Sequence, residues 1–214
     1  MSNSIDRNTI ITLITILAST TVYAVTRYVL SGAVNPENIP VYIINKAVAF
    51  SAVIALLLSA IAYLKDNNLG ARDWGKISFH LAVVHILLSS PLWGIGYFEQ
   101  FYFEWGTVDG KHVNMREHVN TMKLTGELTM LFGVLGVYTY FMLFLSKHGT
   151  KAMAYLKLAT TFCIAIHIGI VPYLNWAPWA WSKKFNMPPI SLLSFLCVGL
   201  AFLIYLKMKD AKQA

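Results

Sequence analysis

Apolar residues fall along the chain in long, nearly unbroken blocks that are separated by short polar segments. Each block holds about 18 residues or more, which is the length that a transmembrane helix requires. The blocks cover about residues 9–30, 41–64, 77–98, 124–146, 152–174 and 189–206. The alternation of apolar and polar residues that marks a membrane β-barrel is absent. The pattern therefore predicts an all-α protein, a six-transmembrane-helix bundle that forms one domain over residues 1–214.

The longest polar segment, residues 99–121, lies between the third and fourth blocks. Its first part is rich in aromatic residues, which concentrate at membrane interfaces. We therefore expect this segment to lie along the membrane surface. Pro91 interrupts the third block and predicts a kink in that helix.

Composition and charge agree with a membrane protein. Hydrophobic residues make up 57% of the chain and charged residues only 13%, against about 25% charged residues in soluble domains. The formal net charge is +7, but most Lys and Arg residues stand at block ends, where they face lipid headgroups, so no nucleic-acid partner is predicted. Cys163 and Cys197 lie inside apolar blocks and are interpreted as small hydrophobic residues.

The distribution of basic residues also predicts the orientation in the membrane. With the N-terminus inside, the cytoplasmic side carries a modest excess of Lys and Arg. We therefore predict a multi-pass protein, of the kind found in bacterial inner membranes, with both termini cytoplasmic. A short apolar run within the first block ends near Val22-Tyr23-Ala24 and also resembles a signal peptide with its cleavage site, but we interpret the block as the first transmembrane helix.

Two histidines lie well inside apolar blocks, where ionisable residues are costly and usually functional. His85 is in the third block and His167 in the fifth. Imidazoles on two helices of a bundle can hold one haem between them, and the alternative is a pair of core histidines that bond to neighbours. At about 1.5 Å per residue, His85 is about 12 Å from Ile77 and His167 about 22 Å from Ala152. The two depths agree if the fifth helix is counted from Lys157, which can snorkel.

Three further ionisable residues are weaker candidates. His80 is a second cofactor-binding candidate, for another haem or a propionate, or else an ordinary interfacial histidine. Arg27 suits a haem propionate, since guanidinium matches carboxylate geometry, and a snorkelling role is the alternative. Glu127 is either the i,i+4 partner of Lys123 or a quinone contact or proton-relay group near the outer face. In the polar segment, His112 and His118 have loose metal-ligand spacing.

The third to fifth blocks also resemble a known family. The third reads Asp73-Trp74-Gly75-Lys76 followed by FHLAVVHILLS, the fourth reads LTGELTMLFGVLGVYTY, and the turn and fifth block read SKHGTKAMAYLKLATTFCIAIHIG. From about residue 41 to 174, their order and lengths resemble the ferric-reductase-like transmembrane family. It includes ferric reductases, the membrane subunit of NADPH oxidases and the haem subunit of the periplasmic methionine sulfoxide reductase system.

The resemblance implies a particular set of haem ligands. Fuller members of that family carry two histidines about thirteen residues apart on each of two helices, and these bind two haems b. Here Arg72 and Ala154 stand thirteen residues before His85 and His167. The resemblance therefore implies one haem b, near the outer leaflet, held by His85 and His167, with the inner ligand pair lost.

These observations favour a haem b-containing membrane electron-transfer protein or subunit. It would pass electrons between the quinone pool or a membrane partner and an extracytoplasmic acceptor docked on residues 99–121, so it could be the electron-transfer subunit of an oxidoreductase. Two alternatives remain open. One is a non-catalytic scaffold or assembly subunit of a larger complex. The other is a small proton-coupled transporter that uses Glu127, His85 and Lys157.

Overall fold

The computed structural model describes residues 6–31, 39–93, 104–108, 111–115, 122–146, 151–170, 176, 182 and 184–211. Six α-helices account for most of them: α1 (Arg7–Ala24), α2 (Ile39–Leu64), α3 (Asn68–Ser89), α4 (Leu124–Leu145), α5 (Lys151–Ile170) and α6 (Ile190–Ala211). A π-helical turn, Val25–Val29, extends α1. The predicted all-α bundle is therefore confirmed.

In the part of the chain that the structure describes, five helices are long and apolar enough to cross a membrane, whereas six were predicted, and α3 is not among the five. Their candidate spans are Arg7–Val29, Val41–Leu64, Leu124–Leu145, Ala152–Ile170 and Ile190–Met208. Such segments satisfy their own backbone hydrogen bonds, which lipid cannot do for them. The chain is therefore a multi-pass membrane protein.

Helix α3 differs from its prediction at both ends. It begins at Asn68 rather than near residue 77, because the Asn67 side chain caps it by accepting a hydrogen bond from the Gly70 amide at 3.0 Å. Its first turns therefore include charged residues that hydropathy assigned to a loop. The α-helix ends at Ser89, and Pro91 lies in a following 3-10 turn, Ser90–Trp93, instead of kinking a longer helix. Proline has no N–H with which to continue the α-helical hydrogen bonds.

The polar segment between α3 and α4 contains a two-stranded antiparallel hairpin. Strand β1 (Glu104–Val108) pairs with β2 (Lys111–Met115), with Glu104 opposite Met115 and Val108 opposite Lys111. His112 lies on β2, whereas His118 lies outside the described residues. Residues 94–98 and 171–174, the predicted last parts of the third and fifth helices, also lie outside the described residues.

Small and hydroxyl side chains mediate the packing of the bundle. Helices α1 and α2 meet at Thr20 and Ser51, whose hydroxyls are 2.8 Å apart, and α3 packs along α2, where the Ser78 hydroxyl donates to the Ala52 carbonyl. Helix α4 packs along α5, and α6 contacts both α2 and α5. Small residues and interhelical hydrogen bonds are the usual means of association in a membrane, where no hydrophobic effect drives helices together.

Side-chain contacts also show which helix ends lie together. One end, here called the lower end, holds Tyr63, Gly75, Tyr140, Lys157 and Tyr205. The opposite, upper end holds the end of α1 and the start of α6, where Tyr23 donates to the Pro188 carbonyl at 2.7 Å. The start of α1 and the end of α6 therefore lie at the same end of the bundle, the lower one.

Candidate functional site

His85 lies on α3 against a polar group of α2. Its Nδ1 atom is 2.6 Å from Oδ1 of Asn45, a residue that is only 5% exposed. Nδ2 of Asn45 donates to Oγ of Ser89 at 3.2 Å, and the Ser89 hydroxyl donates to the backbone carbonyl of His85 at 2.8 Å. The three side chains form a closed chain of hydrogen bonds that begins and ends on His85.

The direction of these hydrogen bonds fixes the protonation of the His85 ring. A carbonyl oxygen only accepts, so the single hydroxyl proton of Ser89 is committed to the His85 carbonyl. Ser89 Oγ must then accept from the Asn45 NH2 group, which leaves Oδ1 of Asn45 as the acceptor facing His85. Nδ1 of His85 therefore carries a proton, and in the neutral ring, which costs less than a charged one inside a membrane, Nε2 keeps a lone pair.

His167, on α5, has the same arrangement with a backbone partner. Its Nδ1 atom is 2.9 Å from the carbonyl oxygen of Thr129 on α4. Because that oxygen can only accept, Nδ1 carries a proton, and in the neutral ring Nε2 again keeps its lone pair. The ring lies directly over Gly133, where a Cβ atom would be 2.9 Å from Nδ1. A glycine at this position allows the imidazole to approach the α4 backbone.

The two histidines are related by an electrostatic interaction and by similar heights along the bundle. The His85 and His167 side chains are close enough to interact electrostatically, although α3 and α5 are not extensively packed against each other. The two histidines also lie at similar heights along the bundle axis, counted from the contact between Phe79 and Tyr140. At about 1.5 Å per residue, His85 is about 9 Å above Phe79, and Gly133 is about 10 Å above Tyr140, and Phe79 and Tyr140 are in ring contact at 5.4 Å.

Helices α3 and α4 touch near their lower ends. The Tyr140 hydroxyl donates to the Gly75 carbonyl at 3.1 Å, and the Phe79 ring stacks on Phe144 at 4.8 Å. Among the described residues, every hydrogen bond and ring contact between these two helices is in this lower group. His85 and His167 lie above it, with α3 on one side and the α4–α5 pair on the other.

The structure places the other predicted site residues elsewhere. His80 is exposed, beside Phe144 at the lower end, and its Nδ1 is 2.7 Å from the Lys76 carbonyl. Glu127 is exposed in the first turn of α4, where the positive end of the helix dipole stabilises an acidic residue. The described contacts bring neither residue to the histidine pair.

Arg27 is buried, at 7% exposure, in the π-helical end of α1. Its guanidinium donates to the Met187 carbonyl and lies 5.3 Å from the Tyr28 ring centre. These described contacts attach α1 to the segment before α6. These contacts involve neither histidine, and the role of Arg27 toward a haem propionate stays a prediction.

The Lys157 side chain, near the start of α5, lies against aromatic rings of α2 and α6. Its Nζ atom lies 3.5 Å from the Tyr63 ring centre and 5.4 Å from that of Tyr205. Cation–π attraction of this kind stabilises an ammonium group among aromatic rings. A different lysine is near the site: Lys46, the residue after Asn45, interacts electrostatically with His85.

Sequence reasoning missed the partners of the two histidines. Asn45 was detectable in principle, as a lone amide inside an apolar block, because such groups are costly in a membrane unless they are paired. Ser89 and the Thr129 carbonyl carry no such signal.

Among the described residues, no group of three or more His, Cys, Asp or Glu side chains is gathered that could hold a metal ion.

Comparisons with known proteins do not extend these observations. No protein-family model matches the chain, and no curated protein matches it.

Proposed function

We propose that the chain is a haem b-containing membrane electron-transfer protein or subunit, in which His85 and His167 would hold one haem. The observation that supports this is the pair of neighbouring imidazoles, from two helices, that both keep an Nε2 lone pair. Imidazole nitrogens are common ligands of haem iron, so His85 and His167 would hold the group through their Nε2 atoms.

The surroundings of the two rings suit such ligands. Histidines that bind metals almost always donate their other N–H to a carboxylate, carbonyl or water, which fixes the tautomer and the ring orientation. Asn45 does this for His85, and the Thr129 carbonyl does it for His167. Haem b, when bound, supplies a one-electron iron couple, and the protein's part is to hold both nitrogens in place.

We also propose an orientation in the membrane and a set of partners. The lower end is assigned to the cytoplasm, because it carries the larger share of Lys and Arg. The histidine pair is then in the outer half of the membrane, below the segment that holds the β1–β2 hairpin. An extracytoplasmic or membrane redox partner would dock on that segment, and quinone would enter near Glu127.

A visible spectrum tests this function directly. The full-length chain, purified from cells with intact haem biosynthesis, should show a Soret band and α/β bands on reduction. His85→Ala and His167→Ala should each abolish these bands, because each removes one of the two residues that would hold the haem.

His80→Ala is the matched control, since His80 is exposed and on the same helix as His85. It should retain the full spectrum, and circular dichroism should show that all three variants keep their helices. Wild-type protein without a Soret band would refute the proposal. Proton-coupled uptake by such protein in liposomes would then identify a transporter, and its absence would leave the scaffold.

A further inference from the structure

Asn45 is a buried amide in a helix that is otherwise apolar around it. It lies in α2, which is one of the membrane-spanning helices, and neighbours the buried residues Ile43 and Ala47. Leaving a buried polar group without a partner costs about 1–3 kcal/mol. Asn45 avoids this cost because its two amide atoms bond to His85 and Ser89, both on α3.

The two ends of the Asn45 side chain have different tasks. Its NH2 group is held by Ser89, whose own proton is committed to the His85 carbonyl. The amide therefore has one orientation, and its oxygen faces Nδ1 of His85. Free neutral histidine favours the other tautomer, with the proton on Nε2, which would leave no lone pair there. The Asn45–Ser89 pair thus stabilises the ring form that a metal-binding Nε2 requires.

We propose that Asn45 is the positioning residue for His85: with Ser89 it holds the ring in the Nδ1–H tautomer and presents Nε2 as a ligand. That Nε2 binds haem rests on the proposed function, whereas the Nδ1–H tautomer of His85 is independent of it. The two histidines differ in this respect, because the partner of His167 is a backbone carbonyl that substitution cannot remove. A substitution of Asn45 can therefore change the surroundings of His85 and leave those of His167 unchanged.

The first test needs no haem. The full-length chain is produced without a haem supply, with ¹⁵N-labelled histidine, and the His85 ring nitrogens are assigned by comparison with His85→Ala. Wild-type protein should show a protonated Nδ1 and an unprotonated Nε2. Asn45→Leu should lose this pattern and give the Nε2–H form or a mixture of tautomers. A wild-type ring protonated on Nε2, or an unchanged ring in Asn45→Leu, would overturn the proposal.

Ser51→Ala is the matched control for the loss of a buried polar group. Ser51 is a fully buried residue of α2 whose hydroxyl contacts Thr20 and the Ala47 carbonyl. It has no described contact with His85, so its removal should leave the His85 tautomer unchanged. A change of equal size in Ser51→Ala would mean that general loosening, rather than the amide oxygen, determines the tautomer.

The second test uses haem titration of the same proteins. Loss of a group that orients a metal ligand typically lowers affinity by about 10–100-fold, and we expect Asn45→Leu to fall in this range. Asn45→Asp keeps an oxygen acceptor and should rescue binding. It should also lower the haem reduction potential, because a carboxylate makes the imidazole a stronger donor. Equal affinity of wild type and Asn45→Leu would refute the positioning role, whereas failure of all variants to bind haem would instead refute the proposed function.

Discussion

At the scale of single residues, the site depends on a glycine as well as on the histidines. Gly133 faces the His167 ring at a distance that a Cβ atom would reduce to 2.9 Å, which is closer than such atoms pack. Gly136, one turn further along α4, faces α5 with more room, since a Cβ atom there would be 3.5 Å from Cβ of Cys163. Two glycines on one helix face thus have different tolerances for a methyl group.

Gly133→Ala should therefore weaken haem binding. The added methyl group displaces the His167 ring from the Thr129 carbonyl, and we expect a loss of about tenfold or more in haem affinity, as for other disturbed ligand surroundings. The control is Gly136→Ala, which gains the same intrinsic helix propensity without the close contact. Haem titration of both variants provides the measurement, and equal affinities would contradict this role of Gly133.

At the scale of helices, α3 is attached to its two neighbours in different ways. It packs along α2, with hydrogen bonds near its start (Ser59 to Ala71), at Ser78 and near its end at Asn45. Its described contacts with α4 lie near one end, and Tyr140, which is 5% exposed, provides the hydrogen bond in that group. Tyr140 therefore joins α4 to α3 below the histidine pair.

Tyr140→Phe should loosen this end of the bundle. The substitution removes the hydrogen bond to the Gly75 carbonyl and should lower stability by about 1 kcal/mol, measured as a reduced Tm in detergent. Tyr138→Phe serves as the control, because the Tyr138 side chain is 60% exposed on the same helix. Identical melting temperatures for the two variants would argue against a structural role for the Tyr140 hydroxyl.

At the scale of the whole molecule, the antiparallel helices place both ends of the helical chain at the lower end. The lower end is basic: it carries Lys65, Arg72 and Lys76 around the α2–α3 turn, and Lys157 at the start of α5. An excess of Lys and Arg directs a membrane protein's loops to the cytoplasm. The architecture and the charge together yield a prediction of sidedness.

Cysteine labelling checks that sidedness. In a background with Cys163→Ala and Cys197→Ala, Asn68→Cys marks the lower end and Lys184→Cys marks the upper end, and both positions are exposed. A membrane-impermeant maleimide should label Lys184→Cys in intact cells and Asn68→Cys only after permeabilisation. The reverse result would invert the orientation proposed here.

The lower half of the bundle also predicts the number of cofactors. Packed side chains occupy it: the Phe79–Tyr140–Phe144 group between α3 and α4, and Lys157 between Tyr63 and Tyr205. We therefore expect one haem per chain, measured as the ratio of haem to protein after extraction. A ratio of two would show that a second site forms without the inner histidines.

The sequence alone determined the membrane-spanning character of the chain, because a bilayer requires long apolar helices and these are visible as long apolar blocks. It also singled out His85 and His167 as candidates, since ionisable groups inside apolar blocks are conspicuous. It could not place the start of α3 at Asn68, because the first turns are polar and read as a loop, whereas the Asn67 cap begins the helix there. Nor could it place Arg27 against the Met187 carbonyl, a contact between residues far apart in the chain.

The tertiary structure decided how the two histidines are held. The proton on each Nδ1 follows from an acceptor on another helix, Asn45 in one case and the Thr129 backbone in the other. A backbone carbonyl is present at every residue, so no sequence pattern can single one out. Which carbonyl faces which ring depends on the relative height and rotation of two packed helices, and only the folded bundle fixes those.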